Sequence, residues 1–185
     1  MSAYRFARTV FPRTVDDVTV RLIAGEVLVL SVLALVTGQA WVLALLAADF
    51  TVRAAFGPVL SPLARLAAVV LRPRIPAAPR PTPGPPKRFA AAIGAVLTLG
   101  ATAAFFAGWP TVTWVITGVM VAFPLLEAAF GVCVGCIAFS LLMRLGVIPR
   151  SVCEECADIT LRLSAARRAQ LADLPRVQVA KTLSR

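Results

Sequence analysis

Apolar residues run along this chain in four blocks: Leu22–Val36, Trp41–Phe56, Ala90–Gly108 and Val112–Leu145. A helix at the surface of a soluble domain shows an apolar stripe and a polar face. Blocks that are apolar on nearly every side fit lipid, where about 20 residues cross the hydrocarbon core. The first two blocks are slightly short, and "TGQA" between them predicts a hairpin turning at Gly38. The third carries Gly94, Thr98 and Thr102 at four-residue spacing, a stripe of small residues suited to close helix packing. The fourth has 34 residues, about 50 Å as one helix at 1.5 Å per residue, against a core of about 30 Å. Pro124 and Gly131 are where it can kink or break. A span over 112–132 therefore extends to 145 at, or just beyond, the membrane edge.

The segments between the blocks have their own patterns. Residues 1–18 form an arm without periodicity. Residues 59–71 mix apolar positions with Arg65 and predict an interfacial helix, with a re-entrant segment as the alternative because Pro58 and Pro62 bracket its start. Residues 73–86 contain seven prolines, a density that favours an extended, semi-rigid linker. Ser151 is a suitable N-cap for a helix beginning near "VCEEC", with Glu154 in capping-box position, ending before Pro175 and leaving a basic tail. The chain thus divides into an arm (1–18), a membrane domain (19–145) and a C-terminal helix and tail (146–185).

Composition agrees with lipid: 59% of residues are hydrophobic and the mean hydropathy is +0.84, whereas a soluble domain is about 45–50% apolar. Charge supplies the orientation. All 19 Lys and Arg fall before the first block, at the inner end of the second, between the second and third, or from Arg144 onward; "TGQA" and "GWPT" have none. The positive-inside rule places both termini and the middle segment in the cytoplasm. The expected fold is an all-α bundle of four transmembrane helices, N-in and C-in. The net charge of +10 is accounted for by this orientation and by anionic headgroups. Nucleic-acid binding is not expected, because the basic residues are dispersed and lack interleaved aromatics. The mixed stretch of about 20 residues before the first block is too long for the n-region of a cleavable signal.

Glu26, Asp49, Arg53 and Glu127 fall within the predicted spans, where a charge needs a partner. Asp49 and Arg53, four apart, share a helix face. Glu127 precedes Cys133 by six residues, about 9 Å along a helix. All four lie in the inner half of the bilayer, as a buried ion network or as a proton or anion path. In the second case Glu127 accepts a proton and Arg53 is the counter-charge of a thiolate.

The four cysteines form two C-x-x-C pairs, Cys133/Cys136 in apolar sequence and Cys153/Cys156 in charged sequence. On the cytoplasmic side structural disulfides are rare, so the pairs point to redox chemistry or metal. The spacing C-x2-C-x16-C-x2-C suits a four-thiolate zinc site, and less specifically an iron–sulfur cluster. Redox chemistry suits the local setting. Cys153 falls in the first turn of the predicted C-terminal helix, where the dipole lowers a thiol pKa while Glu154 and Glu155 oppose it. Cys133 follows the break at Gly131, and its apolar surroundings are expected to raise its pKa. Two pairs of different poise suit a relay in which Cys153/Cys156 exchanges with a soluble partner and passes electrons to Cys133/Cys136. The alternatives are a non-catalytic scaffold with a zinc site of all four cysteines, and a small sulfur-anion transporter assembled as a homo-oligomer.

The stretches "ADFTVRAAFGPVLSPLARLA", "PGPPKRFAAAIG", "LLEAAFGVCVGC" and "LLMRLGVIP" resemble a bacterial membrane family catalogued as domain of unknown function 4395, over roughly residues 14–148. The resemblance implies a small multi-span protein of the bacterial inner membrane. It also implies that Asp49, Arg53, Gly57, Pro58, Ser61, Pro62, Pro85, Lys87, Arg88, Phe89, Glu127, Gly131, Cys133, Gly135 and Cys136 are signature positions. The "SVCEEC" extension resembles actinobacterial members. The family brings no established reaction; a thioredoxin-like or sulfurtransferase partner is an expectation of the redox reading alone.

Overall fold

The computed structural model describes residue 12 and residues 14–153. Six helices follow one another: α1 (Asp17–Thr37), α2 (Ala40–Phe56), α3 (Pro62–Leu66), α4 (Gly84–Phe106), α5 (Pro110–Phe130) and α6 (Val134–Arg144). Helix α3 continues through a π-helical stretch, Ala67–Leu71, into a 3-10 turn at Arg72–Arg74. Two short strands, β1 (Thr14–Asp16) and β2 (Pro81–Pro83), pair antiparallel with Val15 opposite Thr82. Proline is tolerated here because each strand of a two-stranded ladder is an edge.

The hairpins turn where the sequence permits it. Gly38 closes α1 in the left-handed region at φ 67°, its N–H donating to Ala34 O. At the end of α5, Gly131 (φ 71°) donates to Glu127 O at 2.9 Å and Val132 to Leu126 O at 3.2 Å. The first bond is that of the αL helix cap, in which glycine accepts a conformation that other residues resist. Pro124 is accommodated inside α5 without ending it, so the break expected at one of two positions occurs at Gly131.

Helix α2 packs along α4, α1 along α5, and α4 along α5 and α6. Gly94 lets α2 and α4 approach: a Cβ there would lie 2.5 Å from the Phe50 ring. Phe50 joins Ile23, Val27, Leu46, Ala91, Ala95 and Met120 in the main core. Two arginines tie opposite helix ends together. Arg21 near the start of α1 donates to Ala128 O and Ala129 O of α5. Arg88 near the start of α4 donates to Ala54 O of α2 at 2.9 Å. A cation on the last carbonyls of a helix satisfies orphan acceptors and complements the dipole. The N-termini of α1 and α4 and the C-termini of α2 and α5 therefore gather at one end, with the Gly38 and Gly108 turns at the other.

Asp16 organises that gathered end. Its carboxylate caps α1 at Val18 N and Thr19 N, accepts from Arg72 Nε at 2.6 Å and accepts from Arg80 N at 2.9 Å. Burial pushes its pKa up. The hydrogen bonds from Arg80, Arg72 and Thr19 and the Arg72 charge outweigh burial and leave it below the usual carboxylate range.

Three helices, Asp17–Thr37, Gly84–Phe106 and Pro110–Phe130, are long and apolar enough to cross a membrane, which is compatible with a membrane protein. Helix α2 has 17 residues and carries Asp49 and Arg53. Some boundaries differ from the sequence expectation. The stretch 73–86 is not a linker throughout: its middle pairs with β1, and Gly84, Pro85 and Pro86 form the first turn of α4. Proline fits there because first-turn N–H groups have no intrahelical acceptor. The third helix thus begins at 84 where hydropathy alone suggested 90. The arm ends sooner than residue 18, since Asp17 already opens α1. Within the stretch 59–71 a helix begins at Pro62, capped by Ser61. The C-terminal helix expected after Ser151 lies outside the described residues beyond Cys153.

Candidate functional site

Gly131 stops α5, the chain turns through Val132, and Cys133 becomes the N-cap of α6 with extended geometry (φ −91°, ψ 107°). Cys136 lies in the first turn of that helix. The free N–H groups and dipole at a helix start favour negative charge on a neighbouring sulfur. Helix α6 is held close to α4 by Gly135, where a Cβ would meet the Ala90 Cβ at 2.5 Å and its Cα at 2.7 Å. Cys133 is buried, Cys136 is half-buried, and both are free thiols.

The two thiols are differently poised. The hydrogen bond from the Cys136 side chain lowers the Cys133 pKa below its ordinary value. Burial and the Glu127 charge oppose this, and the Lys87 charge and the Cys136 N–H assist it. The Cys136 pKa is pushed up, first by its hydrogen bond to Cys133 and then by burial. Apolar surroundings do act upward on Cys133, as the sequence suggested, but its partner thiol outweighs them.

Lys87 and Glu127 form the nearest ion pair. Lys87, in the first turn of α4, donates to Glu127 Oε1 in the last turn of α5 at 2.5 Å, with both side chains largely buried. Lys87, Glu127, Cys133 and Arg53 all line one cavity of about 320 Å³. Phe50, Met120, Phe123 and Pro124 are among the side chains forming its largely apolar wall.

Behind the cavity lies a second cluster. Asp49, 3% exposed, accepts from Ser61 Oγ at 2.6 Å, from Leu63 N at 3.1 Å and from Arg53, which also stacks over Phe50 at 4.9 Å. Ser61 Oγ in turn accepts from Ala64 N. Arg53 Nε and both Glu26 carboxylate oxygens are buried without hydrogen-bond partners. Glu26 is within electrostatic reach of Arg53 and Asp49.

The structure thus brings together Cys133, Cys136, Glu127 and Arg53 of the expected residues, with Asp49 and Glu26 in the adjoining cluster. Arg53 lines the cavity, but its charge is engaged by Asp49; the cation whose charge acts on Cys133 is Lys87. Lys87 had no assigned role in the sequence reading. The available signal was Glu127, a lone carboxylate in an apolar run that required a cation. Cys153 packs with Phe139 and Met143 farther along α6, with Phe89 and Ile148 alongside. It is disulfide-bonded. Among the described residues no three Cys, Asp or Glu side chains form a group able to hold a metal ion. Cys156, the fourth member of the expected zinc site, lies outside the described residues.

Residues 15–144 match the model of the family described as domain of unknown function 4395. No curated protein and no solved structure matches the chain.

Proposed function

We propose, from the premise that this chain belongs to the domain of unknown function 4395 family, that it is a membrane thiol–disulfide relay. It crosses the bilayer four times, with α2 as the additional span and both ends in the cytoplasm. Helix α6 then lies at the inner membrane edge. The observation that carries this reading is the pairing of a lowered Cys133 thiol and a raised Cys136 thiol at a helix start, beside the Lys87–Glu127 ion pair.

The chemistry follows from that asymmetry. In the oxidised pair, a thiolate of a dithiol partner attacks the Cys133 sulfur, and the Cys133–Cys136 bond breaks. Cys136 leaves as a poor thiolate and takes the proton that the partner's second thiol gives up. The partner's second thiolate then attacks the sulfur bound to Cys133, forming the partner's disulfide. Cys133 leaves as a thiolate favoured by Lys87 and the Cys136 hydrogen bond. The partner loses two electrons and the pair gains them. Within the chain, the pair containing Cys153 can be the donor, itself reduced by a soluble thioredoxin-like or sulfurtransferase protein.

The test is capture. Cys136→Ser should accumulate a mixed disulfide on Cys133, either with a soluble thiol protein or with Cys153 or Cys156, mapped by mass spectrometry. Cys133→Ser should not yield that adduct. If Cys136→Ser forms no adduct under conditions where control thiol proteins do, the reading is overturned.

A further inference from the structure

The cavity that Cys133 shares with Lys87 and Glu127 constrains what can take electrons from the reduced pair. Its volume of about 320 Å³ is at the lower end of small-molecule sites, about 300–1,000 Å³. That space can seat a single substituted ring and is tight for a bulky peptide. Its wall is built mainly from Ile23, Val27, Phe50, Leu97, Met120 and Phe123, contributed by four helices. A charged, hydrophilic disulfide would lose its hydration in such a wall without recovering it. A flat ring carrying carbonyl oxygens would bury its faces against the apolar side chains.

The polar groups at the cavity fit those oxygens. Lys87 lines the cavity together with Cys133, whose thiolate its charge favours, and Arg53 lines the same space with a buried Nε that has no hydrogen-bond partner. Both are donors, as an oxygen gaining negative charge requires. Glu127, paired with Lys87, can carry a proton.

We infer that the cavity is the site at which a lipid-soluble quinone reoxidises the Cys133–Cys136 pair. This rests on the redox reading above and names its electron acceptor. The Cys133 thiolate adds to the quinone ring, and the ring takes the electron pair. Cys136 loses its proton and attacks the Cys133 sulfur; the carbon–sulfur bond breaks and the Cys133–Cys136 bond forms. Two protons and two electrons pass from the dithiol to the quinone, which leaves as quinol.

The test uses the full chain in lipid nanodiscs, reduced and freed of reductant without oxygen, then mixed with decylubiquinone. Loss of the quinone absorbance is followed while thiols are mapped by alkylation and mass spectrometry. The inference expects quinol and Cys133–Cys136 disulfide to appear in equal amounts, and Cys133→Ala to lose at least nine-tenths of the rate. It also expects Met120→Leu, which keeps the wall apolar, to retain activity, and Phe123→Asp, which places a carboxylate in the wall, to raise the quinone concentration for half-maximal rate. The protection of buried amides from exchange reports whether Phe123→Asp is folded. If the pair is oxidised by glutathione disulfide but yields no quinol, the quinone inference fails and the relay stands. If neither oxidant joins Cys133 to Cys136, both fail. Quinol formation undiminished in Cys133→Ala overturns the inference as well.

Discussion

Gly135→Ala adds one methyl group at the place where α6 rests on α4. Its Cβ would lie 2.5 Å from the Ala90 Cβ and 2.7 Å from the Ala90 Cα, whereas carbon atoms pack comfortably at about 3.5–4.0 Å. One of the contacting atoms is backbone, so no side-chain rotation relieves the overlap. Helix α6 must withdraw by about 1 Å, and overpacking of this kind costs about 1–3 kcal/mol. The withdrawal carries Cys133 away from Lys87. For a thiolate about 5 Å from a cation at an effective dielectric of about 20, an added 1 Å removes about 0.5 kcal/mol, or about 0.4 of a pKa unit. The assay is the rate of Cys133 alkylation by iodoacetamide against pH, alongside thermal unfolding in detergent. The midpoint should move upward by about that amount while the unfolding temperature falls. Gly25→Ala, which meets no atom within 4 Å, and Gly100→Ala, 3.9 Å from Ile116, are the controls and should change neither. A Gly135→Ala protein with the stability and alkylation midpoint of the parent would refute the argument that this glycine positions the thiols.

Other expectations follow from the same contacts. The folded-state pKa of Cys133 is depressed, so its contribution to stability is fully present above about pH 8.5 and is lost as pH falls through the folded value; reduced Cys133→Ala should show a flatter pH dependence of unfolding across that window. Lys87→Met should slow Cys133 alkylation at neutral pH and destabilise the chain by about 3–5 kcal/mol, because Glu127 is left buried and unpaired; adding Glu127→Leu should restore stability but not thiol reactivity. Ser61→Ala removes a hydrogen bond to buried Asp49 and the cap of α3, and should cost about 1–3 kcal/mol in denaturant unfolding. Asp16 has a depressed folded-state pKa, so its stabilisation is present above about pH 3.9 and lost on acidification; Asp16→Ala should make residues 72–83 cleavable by protease at neutral pH.

How far the sequence could lead is visible in individual residues. The break at Gly131 was legible because a glycine after a long apolar run is the ordinary helix C-terminal signal. The Asp49–Arg53 pair was legible because four-residue spacing fixes a common face. Glu127, Arg53 and Cys133 were expected near one another from the distribution of basic residues along the chain, and they line one cavity. What remained hidden depends on contacts distant along the chain. Lys87 meets Glu127 across 40 positions, and its proline-rich flank reads as linker even though Pro85 and Pro86 begin a helix. Arg72 reaches Asp16 across 56 positions, so residues 14–16 and the proline-rich stretch looked independent when they pair as strands. The order of the two thiol pKa values was also inaccessible, because it is decided by one hydrogen bond between neighbouring sulfurs and not by the polarity of the surroundings.

The measurement that tests the central claim most directly is a redox titration of the intact protein in nanodiscs. The protein is poised with glutathione or dithiothreitol couples, and each cysteine is mapped by differential alkylation and mass spectrometry. The account predicts that Cys133 and Cys136 convert together and reversibly between dithiol and a mutual disulfide, at a potential distinct from that of Cys153. A pair that stays reduced at every poise, or that oxidises only to disulfides with Cys153 or Cys156, would contradict it.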